Sequence, residues 1–434
     1  MKATKKPGTG AGSGTGGDAV RDGLYSRSVI RGDDSPLVRA LLADQGWEVE
    51  TRISPLDTMY TASLPRGHEA SLVEYFQRGI ESFHASSEIA SALETTKPRI
   101  LEFASGFGRL TRFLTRRYDP SSIVVSDIDE EAVVFSRDIL GVRAELSAME
   151  PEDLRIEGPF DLILVYSLFS HLPADLFGRW LRRLYALLAE GGFLVISVHD
   201  ERMIPESARS RTGLTFGPDS ESRFLEASVY GSTWVSSDYV RRAAVEHCPG
   251  GVVTHVPYGL SNYQDLYILG RGAAAPHFDV GPFGFFDVCR RDADRLVLIG
   301  WAAHHDPARS VASVRVILDG GEIGSTSVFT SRPAVPKHTG EARHELSGWG
   351  ITVPFPENRP PGGGPLLIKA VSDTGVERFL WIGHFADAFV SSVLQDANAL
   401  RKENEELRVR AEKAERALAR VRRSLVGRLF RLGS

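Results

Sequence analysis

The sequence is poor in cysteine, in methionine and in long apolar runs. Its 434 residues include only two cysteines, Cys248 and Cys289, and four methionines. Two cysteines so far apart support neither a disulfide framework nor a zinc cluster, so we expect two buried thiols. The N-terminus lacks the apolar core of a signal peptide, and no stretch approaches the length of a membrane-spanning helix. We therefore expect a cytoplasmic protein, and peripheral contact with the inner membrane face remains an open alternative.

A strong excess of one charge is also missing. The chain has 51 Lys and Arg residues against 56 Asp and Glu residues, a formal net charge of −5. This balance gives no global reason to expect a nucleic-acid partner. The 42% of hydrophobic and 25% of charged residues are typical of a globular protein, and the length allows two or three domains.

The pattern of residues divides the chain into four regions. Residues 1–24 are rich in Gly, Thr and Lys and predict a disordered tail. Residues 25–272 begin with a helical leader and continue with alternating strands and helices, which predicts an α/β domain with a parallel sheet. Residues 273–388 carry short β-rich runs separated by Gly and Pro turns, which predicts a small antiparallel β-sandwich.

The last region, residues 392–434, predicts a helical coiled coil. Apolar residues recur at two heptad positions for about four heptads, and Asn404 falls in the seam, which favours a parallel homodimer. The end of this region, Arg416–Ser434, has six arginines and no acidic residue. Such a basic amphipathic end is suited to anionic lipid. A solvated arginine face on the coil is the alternative.

One stretch, Pro98–Leu114, organises the α/β region. Ile100–Phe103 predicts a buried strand, Ala104–Gly108 a tight turn, and Arg109–Arg117 a helix. Glycines suit a place where the backbone approaches a ligand. The loop therefore predicts a ligand site at the carboxyl end of this strand.

The residues that follow continue the alternation. A second strand ends in Asp127, which lies 21 residues beyond Gly106, close to the roughly 20-residue interval of a ribose-binding carboxylate. Later strands are predicted at Val142–Leu146, Phe160–Tyr166 and Phe193–Val198, with a helix at Asp175–Leu188 that Gly191 and Gly192 would end. A dinucleotide fingerprint requires a third glycine, but Thr111 stands there, which argues against a nicotinamide cofactor.

Four of these elements together resemble the class I S-adenosylmethionine-dependent methyltransferases. They are E-F-A-S-G-F-G at 102–108, the acidic end of the second strand, F-D-L-I-L-V-Y-S at 160–167 and the later G-G pair, and the resemblance covers roughly residues 60–272. It implies a Rossmann-like seven-stranded domain with S-adenosyl-L-methionine as cofactor. The implied cofactor-binding residues are Glu102 near the amino group, Ala104, Ser105, Gly106 and Gly108 in the loop, Asp127 and Ile128 at the ribose, Ala148 and Met149 at the adenine, and Tyr166.

Methyl transfer is an in-line displacement, so most of the catalytic work is positioning, and a hydroxyl acceptor also needs a base. The fourth strand ends at Tyr166 and Ser167, without the Asn-Pro-Pro-Tyr signature of many nitrogen methyltransferases. His171 and His199 follow strand ends and are the candidate bases; the alternative for His171 is a role in building the cofactor pocket, and for His199 an ordinary structural role. Asp200 is expected to orient His199. No carboxylate cluster beside these positions indicates a metal.

The first functional hypothesis is therefore O-methylation of a glycan or small-molecule hydroxyl. The appended sandwich and coil are similar in architecture to parts of bacterial surface-polysaccharide enzymes. A cofactor-binding scaffold without turnover and a protein or small-metabolite methyltransferase are the alternatives. We expect the leader around Tyr60–Glu69 and an irregular insertion at 200–232, a candidate lid or binding loop, to recognise the acceptor.

Overall fold

A computed structural model describes residues 29–219, 225–275, 277–356 and 363–389. The tail predicted at 1–24 and the coiled coil predicted at 392–434 lie outside these residues. The chain divides into two compact units, with the boundary between Val280 and Gly281. Within the described residues, no helix combines the length and apolar character needed to cross a membrane.

The first unit begins with the predicted helical leader. Its apolar residues fall at helical spacing, and Leu37, Leu41 and Leu42 are buried. The longest leader helix packs two aromatic rings, those of Phe76 and Phe83, against Phe113. The leader elements are β1 Ile30–Arg31, α1 Pro36–Asp44, β2 Arg52–Ile53, α2 Thr58–Thr61 and α3 His68–Ala90.

Strands and helices then alternate along the first unit, as predicted. The elements are β3 Ile100–Phe103, α4 Thr111–Arg117, β4 Ile123–Asp127, α5 Glu130–Leu140, β5 Arg143–Leu146, β6 Phe160–Val165, α6 Ala174–Tyr185, β7 Leu188–Asp200, β8 Leu214–Gly217, β9 Ser232–Val235, α7 Ser237–His247, β10 Gly251–Leu260 and β11 Gln264–Arg271. Short 3₁₀ helices lie at Gly32–Asp34, Leu64–Arg66, Pro120–Ser122, Pro151–Asp153, Glu201–Met203 and Glu206–Ala208.

The main sheet has the strand order β10-β11-β7-β6-β3-β4-β5. The five strands from β7 to β5 are parallel, β11 runs antiparallel to β7, and β10 runs antiparallel to β11. This confirms the Rossmann-like fold that the resemblance implies. The strand order reverses between β3 and β6, and in such sheets ligands bind outside the carboxyl ends of the strands at this point. Phe177 and Leu181 of α6 and Val240 of α7 belong to the core that includes the sheet residues Leu101 and Ile163.

The predicted boundary at Gly191 and Gly192 is wrong. Helix α6 already ends at Tyr185, and both glycines lie inside β7. Leu188 pairs with Phe160 and Phe193 pairs with Leu162, so the residues between them form a bulge in the strand. The insertion after Asp200 is also more regular than expected, because β9 pairs in parallel with the end of β7 and β8 pairs with β9.

The second unit is the β-rich region that the sequence predicts. Its elements are β12 Pro282–Asp292, β13 Arg295–His304, β14 Val311–Leu318, β15 Gly321–Thr326, α8 Ala334–Thr339, β16 Gly348–Pro354, β17 Pro365–Ser372 and β18 Glu377–His384, with a 3₁₀ helix at Ala342–Glu345. The antiparallel sheets β12-β13-β16 and β15-β14-β17-β18 both contribute side chains to one core.

His304 illustrates what tertiary pairing adds in this unit. His304 ends β13 opposite Pro282 and is buried, although His305 and Asp306 directly after it lie outside the strand. Its carbonyl oxygen accepts a hydrogen bond from His344 Nε2 at 3.0 Å. No group of three or more possible metal ligands occurs among the described residues.

Candidate active site

A cavity of about 970 Å³ opens at the carboxyl edge of the main sheet. It is bordered by residues at the ends of four parallel strands: Ala104 after β3, Asp127 of β4, Tyr166 after β6 and His199 of β7. Its volume lies near the upper end of the roughly 300–1,000 Å³ that small-molecule sites occupy. The cavity therefore offers room for two ligands side by side.

The cavity has two chemically different halves. The carboxylate half is bordered by five acidic side chains, those of Asp57, Glu102, Asp127, Asp129 and Glu150, and by Arg109. The aromatic half is bordered by residues that follow β6 and β7 and by residues of the insertion. Its described lining residues carry no Lys, Arg, Asp or Glu; they include His171, His199, Met203, Leu225, Val229, Tyr230, Ser232, Trp234 and Tyr263.

The glycine loop forms the floor of the carboxylate half. Ala104 and Gly106 both have positive φ, 57° and 54°, which reverses the chain directly after β3. An alanine in this conformation is strained, and such strain is frequent at ligand sites. Gly106 borders the cavity, whereas Gly108 does not. A Cβ at Gly108 would overlap Leu140 of α5, so helix packing is the reason for glycine there.

Asp127 is held by the loop it faces. Its Oδ2 accepts the Gly106 N–H at 2.7 Å, and its Oδ1 accepts the Asp129 N–H at 2.9 Å. Burial raises the pKa of this carboxyl, and the two N–H donors oppose that rise. Each carboxylate oxygen has a second lone pair. The arrangement therefore leaves two acceptor sites on a fixed carboxylate, as a pair of ribose hydroxyls requires.

Glu102 lies deeper, at 6% exposure. The Thr111 hydroxyl donates to its Oε2 at 2.7 Å, so the residue that replaces a third glycine orients this carboxyl group. Burial raises the Glu102 pKa to about 8. A cation placed beside Glu102 would reverse this effect, because it favours the charged carboxylate.

The remaining predicted cofactor residues also border the cavity. Ser105, Ile128, Ala148, Met149 and Tyr166 all contribute to its wall. Met149 is 56% exposed at the mouth, where it offers an apolar surface. The Tyr166 hydroxyl lies 2.8 Å from Ser86 Oγ of α3, which ties the end of β6 to the leader. Of the ten predicted cofactor residues, Gly108 alone does not border the cavity.

His171 is fixed by the insertion. Its Nδ1 lies 2.6 Å from the Gly231 carbonyl oxygen, and its own carbonyl accepts the Gly231 N–H at 2.9 Å. A carbonyl only accepts hydrogen bonds, so Nδ1 carries the hydrogen and, in the neutral ring, Nε2 carries the lone pair. Tyr230 stacks on the ring, with centroids 4.6 Å apart. His171 thus has the tautomer that a base needs at Nε2.

His199 is held differently. Its Nε2 lies 3.1 Å from Gln264 Nε2, and its Nδ1 is buried without a hydrogen-bond partner among the described residues. Burial, with a smaller contribution from His171, lowers its pKa to about 4. His199 is therefore neutral at physiological pH and poorly suited to accept a proton.

The prediction that Asp200 orients His199 is wrong. Successive side chains of a strand point to opposite faces, and Asp200 follows His199 directly at the end of β7. The Asp200 carboxylate instead accepts the Arg202 N–H at 2.8 Å. Gln264 of β11 occupies the place expected for Asp200.

Several lining residues are not predicted by the sequence. Trp234 of β9 is the register partner of His199, and Tyr263 lies 5.3 Å from the same ring. In the leader, Asp57 and Met59 border the cavity, whereas Tyr60, Arg66, His68 and Glu69 do not. The Tyr60 hydroxyl contacts His68 Nδ1 at 2.6 Å instead. An isolated aromatic residue in an irregular segment gives no signal of its position in the fold.

Comparison with known proteins agrees with this geometry. Residues 100–192 match the family model described as a methyltransferase domain. This part of the chain is therefore a methyltransferase domain, and the methyltransferases that the sequence resembles are the S-adenosylmethionine-dependent ones. The glycine loop, the fixed Asp127 carboxylate and the volume of the cavity fit that cofactor.

Two curated relatives match the chain in part. The biotin biosynthesis bifunctional protein BioCD of Bordetella avium is 32% identical over 145 residues, which are 31% of this chain and 30% of the relative. The malonyl-(acyl-carrier protein) O-methyltransferase of Magnetococcus marinus is 29% identical over 136 residues, 29% of this chain and 48% of the relative. The chain thus spans less than half of either relative.

Solved structures also show similarity. CalS10, an amino pentose methyltransferase from Micromonospora echinaspora involved in calicheamicin biosynthesis, is 17% identical. The match covers 49% of this chain and 95% of that chain, with a TM-score of 0.36.

Proposed function

We propose that the protein transfers a methyl group to an uncharged hydroxyl of a glycan or small molecule. The observation that carries this proposal is the composition of the aromatic half, which combines rings with an oriented His171 and has no charged residue among its described lining. Such a surface suits an uncharged ring or chain, because a charged acceptor would lose its hydration without gaining a counter-ion.

The proposed mechanism uses two residues of the chain at the acceptor. When bound, S-adenosyl-L-methionine supplies an electrophilic methyl group, whose C–S bond breaks as the acceptor oxygen forms the new C–O bond. His171 Nε2 takes the hydroxyl proton, and the Gly231 carbonyl stabilises the resulting imidazolium through Nδ1–H. Trp234 and Tyr230 border the space for the acceptor and would limit the orientations in which it binds, which is the positioning that an in-line displacement requires.

A carboxyl acceptor is the main competing candidate, because the Magnetococcus relative is named as a malonyl O-methyltransferase. A malonyl carboxylate is an anion at neutral pH and calls for a cation in its pocket. Arg109 is the one arginine or lysine among the described lining residues, and it borders the carboxylate half. The aromatic half therefore favours the hydroxyl.

Methyl-labelled cofactor tests this proposal. Wild-type protein and His171→Asn are incubated with extracted glycan, lipid-linked sugar, protein and small-metabolite pools, and the labelled products are treated with mild alkali. We expect label in a sugar or alcohol pool as a methyl ether that survives alkali and is lost with His171→Asn. Alkali-labile methyl ester would establish a carboxyl acceptor. Cofactor binding without transfer to any pool would establish the scaffold alternative.

The regions beside this domain support a further part of the proposal. From the heptads of residues 392–434 we infer a homodimer. From the basic apolar end of this region we infer a peripheral contact with a membrane where surface polysaccharide is assembled. We infer no nucleic-acid partner. Removing residues 393–434 should give a monomer in sedimentation. An unchanged oligomeric state would refute the coil as the dimer contact.

A further inference from the structure

Asp57 of the leader is an unexplained acidic residue in the carboxylate half. Its side chain is 2% exposed and borders the cavity. Oδ1 accepts the Met59 N–H at 2.9 Å and so caps α2. Oδ2 is buried with no partner at hydrogen-bond distance among the described residues, although the Tyr75 hydroxyl lies close enough to the carboxyl group to lower its pKa. A buried carboxylate oxygen with no partner costs free energy, so its presence beside a cavity points to a ligand that completes it.

The leader strand that precedes Asp57 is held by contacts of Arg112. The fully buried Arg112 donates to the carbonyl oxygens of Glu50 and Arg52 at 2.7 and 2.9 Å. Its Nη2 also contacts the Tyr75 hydroxyl at 3.2 Å. Arg112 lies in α4, directly behind the glycine loop. The leader strand that precedes Asp57 is therefore anchored to the element that carries the predicted cofactor site.

Arg109 supplies the opposite charge in the same half. It follows the glycine loop and borders the cavity. Its positive charge acts on both Asp57 and Glu102 through space. Its side chain forms no ion pair or hydrogen bond within the described part of the chain. Its guanidinium therefore remains available to an anion in the cavity.

We propose that Asp57 and Arg109 bind the two charged ends of the amino-acid moiety of S-adenosylmethionine, Asp57 the ammonium group and Arg109 the carboxylate. The ammonium group then has two acidic neighbours, Asp57 from the leader and Glu102 from β3. A zwitterion matches this set because it brings one positive and one negative group to a site with both complements. The leader thus contributes directly to cofactor recognition.

The proposal also predicts that protons are released when the ligand binds. Burial raises the pKa of both Asp57 and Glu102, and that of Glu102 reaches about 8, so near pH 7 the unliganded Glu102 holds a proton that a bound ammonium group displaces. Binding near pH 7 should release protons, which appears as a dependence of the titration heat on the ionisation enthalpy of the buffer. Binding of a ligand without the ammonium group should release none from this pair.

Titrations with matched ligands test the proposal without any acceptor. S-adenosylhomocysteine carries both charged ends, decarboxylated S-adenosylmethionine lacks the carboxylate, and 5′-methylthioadenosine lacks both. We expect Asp57→Asn to weaken S-adenosylhomocysteine binding roughly 10- to 100-fold and to leave 5′-methylthioadenosine within about twofold. Arg109→Met should weaken S-adenosylhomocysteine similarly and leave decarboxylated S-adenosylmethionine unaffected.

Two further variants separate binding from folding. Asp57→Ser keeps a good N-cap without the carboxylate and should show the same ligand-selective loss as Asp57→Asn. Asp129→Asn is the matched control, because Asp129 also borders the cavity and caps a helix, α5. Asp129→Asn should change the affinities for S-adenosylhomocysteine and 5′-methylthioadenosine by the same factor. Equal losses for the two ligands with Asp57→Asn, or no loss, would overturn the proposal, whatever the acceptor proves to be.

Discussion

The two halves of the cavity are assembled in different ways. The carboxylate half is built mainly from residues next to strand ends that are close in sequence, so that loop, Asp127 and Glu102 come from one β-α-β unit. The aromatic half brings together residues that follow β6, residues of β7 and of the insertion, and Tyr263 directly before β11. The carboxylate half therefore follows from local sequence, whereas the aromatic half depends on how the insertion pairs with β7.

The first prediction concerns His171 and has the largest expected effect. If Nε2 is the base, His171→Asn should lower the transfer rate by roughly 100- to 1,000-fold, because general-base catalysis contributes factors of this size. The affinity for S-adenosylhomocysteine should stay within about threefold. The rate is measured with labelled cofactor under single-turnover conditions.

His199→Asn is the control for this prediction. His199 borders the same half but has a pKa of about 4 and a contact to Gln264, so its loss should reduce the rate by roughly tenfold or less. A larger loss of transfer rate with His199→Asn than with His171→Asn would show that His199, and not His171, acts as the base.

The second prediction concerns Gly231, which links the insertion to His171. A Cβ at this position would overlap the Gly217 carbonyl across the β8–β9 pair. Gly231→Ala should therefore shift the carbonyl that orients His171 and lower the transfer rate by about tenfold, since small misplacements of catalytic groups are costly. Cofactor affinity should not change. Gly350→Ala, where the added methyl group meets open space, should leave the rate unaltered; a normal rate with Gly231→Ala would refute the link.

The third prediction concerns the contribution of Glu102 to the free energy of unfolding and has the smallest expected effect. The pKa of Glu102 rises from 4.5 in the unfolded chain to about 8 in the folded protein. The folded state then binds more protons between these values, so the stability due to Glu102 is present below pH 4.5 and is lost as the pH rises through 8. Without cofactor, Glu102→Gln should unfold at a higher urea concentration than wild type at pH 8, with a gain of about 1–2 kcal/mol.

The gain should be much smaller at pH 4, where Glu102 is neutral in the folded protein and mostly neutral in the unfolded chain. Glu102→Gln should also bind S-adenosylhomocysteine more weakly, because the amide cannot neutralise an ammonium group. An equal effect on stability at both pH values would show that burial of the charge is not the cause.

The sequence predicts more of the carboxylate half than of the aromatic half for a physical reason. Glycines at a strand-to-helix turn and an acidic residue at the next strand end leave a local pattern, and the predicted positions of Glu102 and Asp127 lie at the cavity. Gly108 belongs to the same pattern, but glycine is required there because a side chain would overlap Leu140. A pattern of glycines does not distinguish close helix packing from the approach of a ligand to the backbone.

Tertiary contacts decide the rest. Trp234 borders the cavity because β9 pairs with β7, and Gln264 meets His199 because β11 lies beside β7. Asp57 lies at the cavity because Arg112 anchors the leader strand that precedes it. Each of these contacts joins residues that are far apart in sequence, and the residue types alone carry no record of the pairing.

Titration of S-adenosylhomocysteine into two variants tests the division of the cavity most directly. Asp127→Ala removes the fixed carboxylate of the carboxylate half, and Trp234→Ala removes an indole that borders the aromatic half. We expect Asp127→Ala to weaken binding by roughly 100-fold or more, and Trp234→Ala to bind within about threefold of wild type. Comparable losses in the two variants, or tight binding by Asp127→Ala, would contradict this division of the cavity.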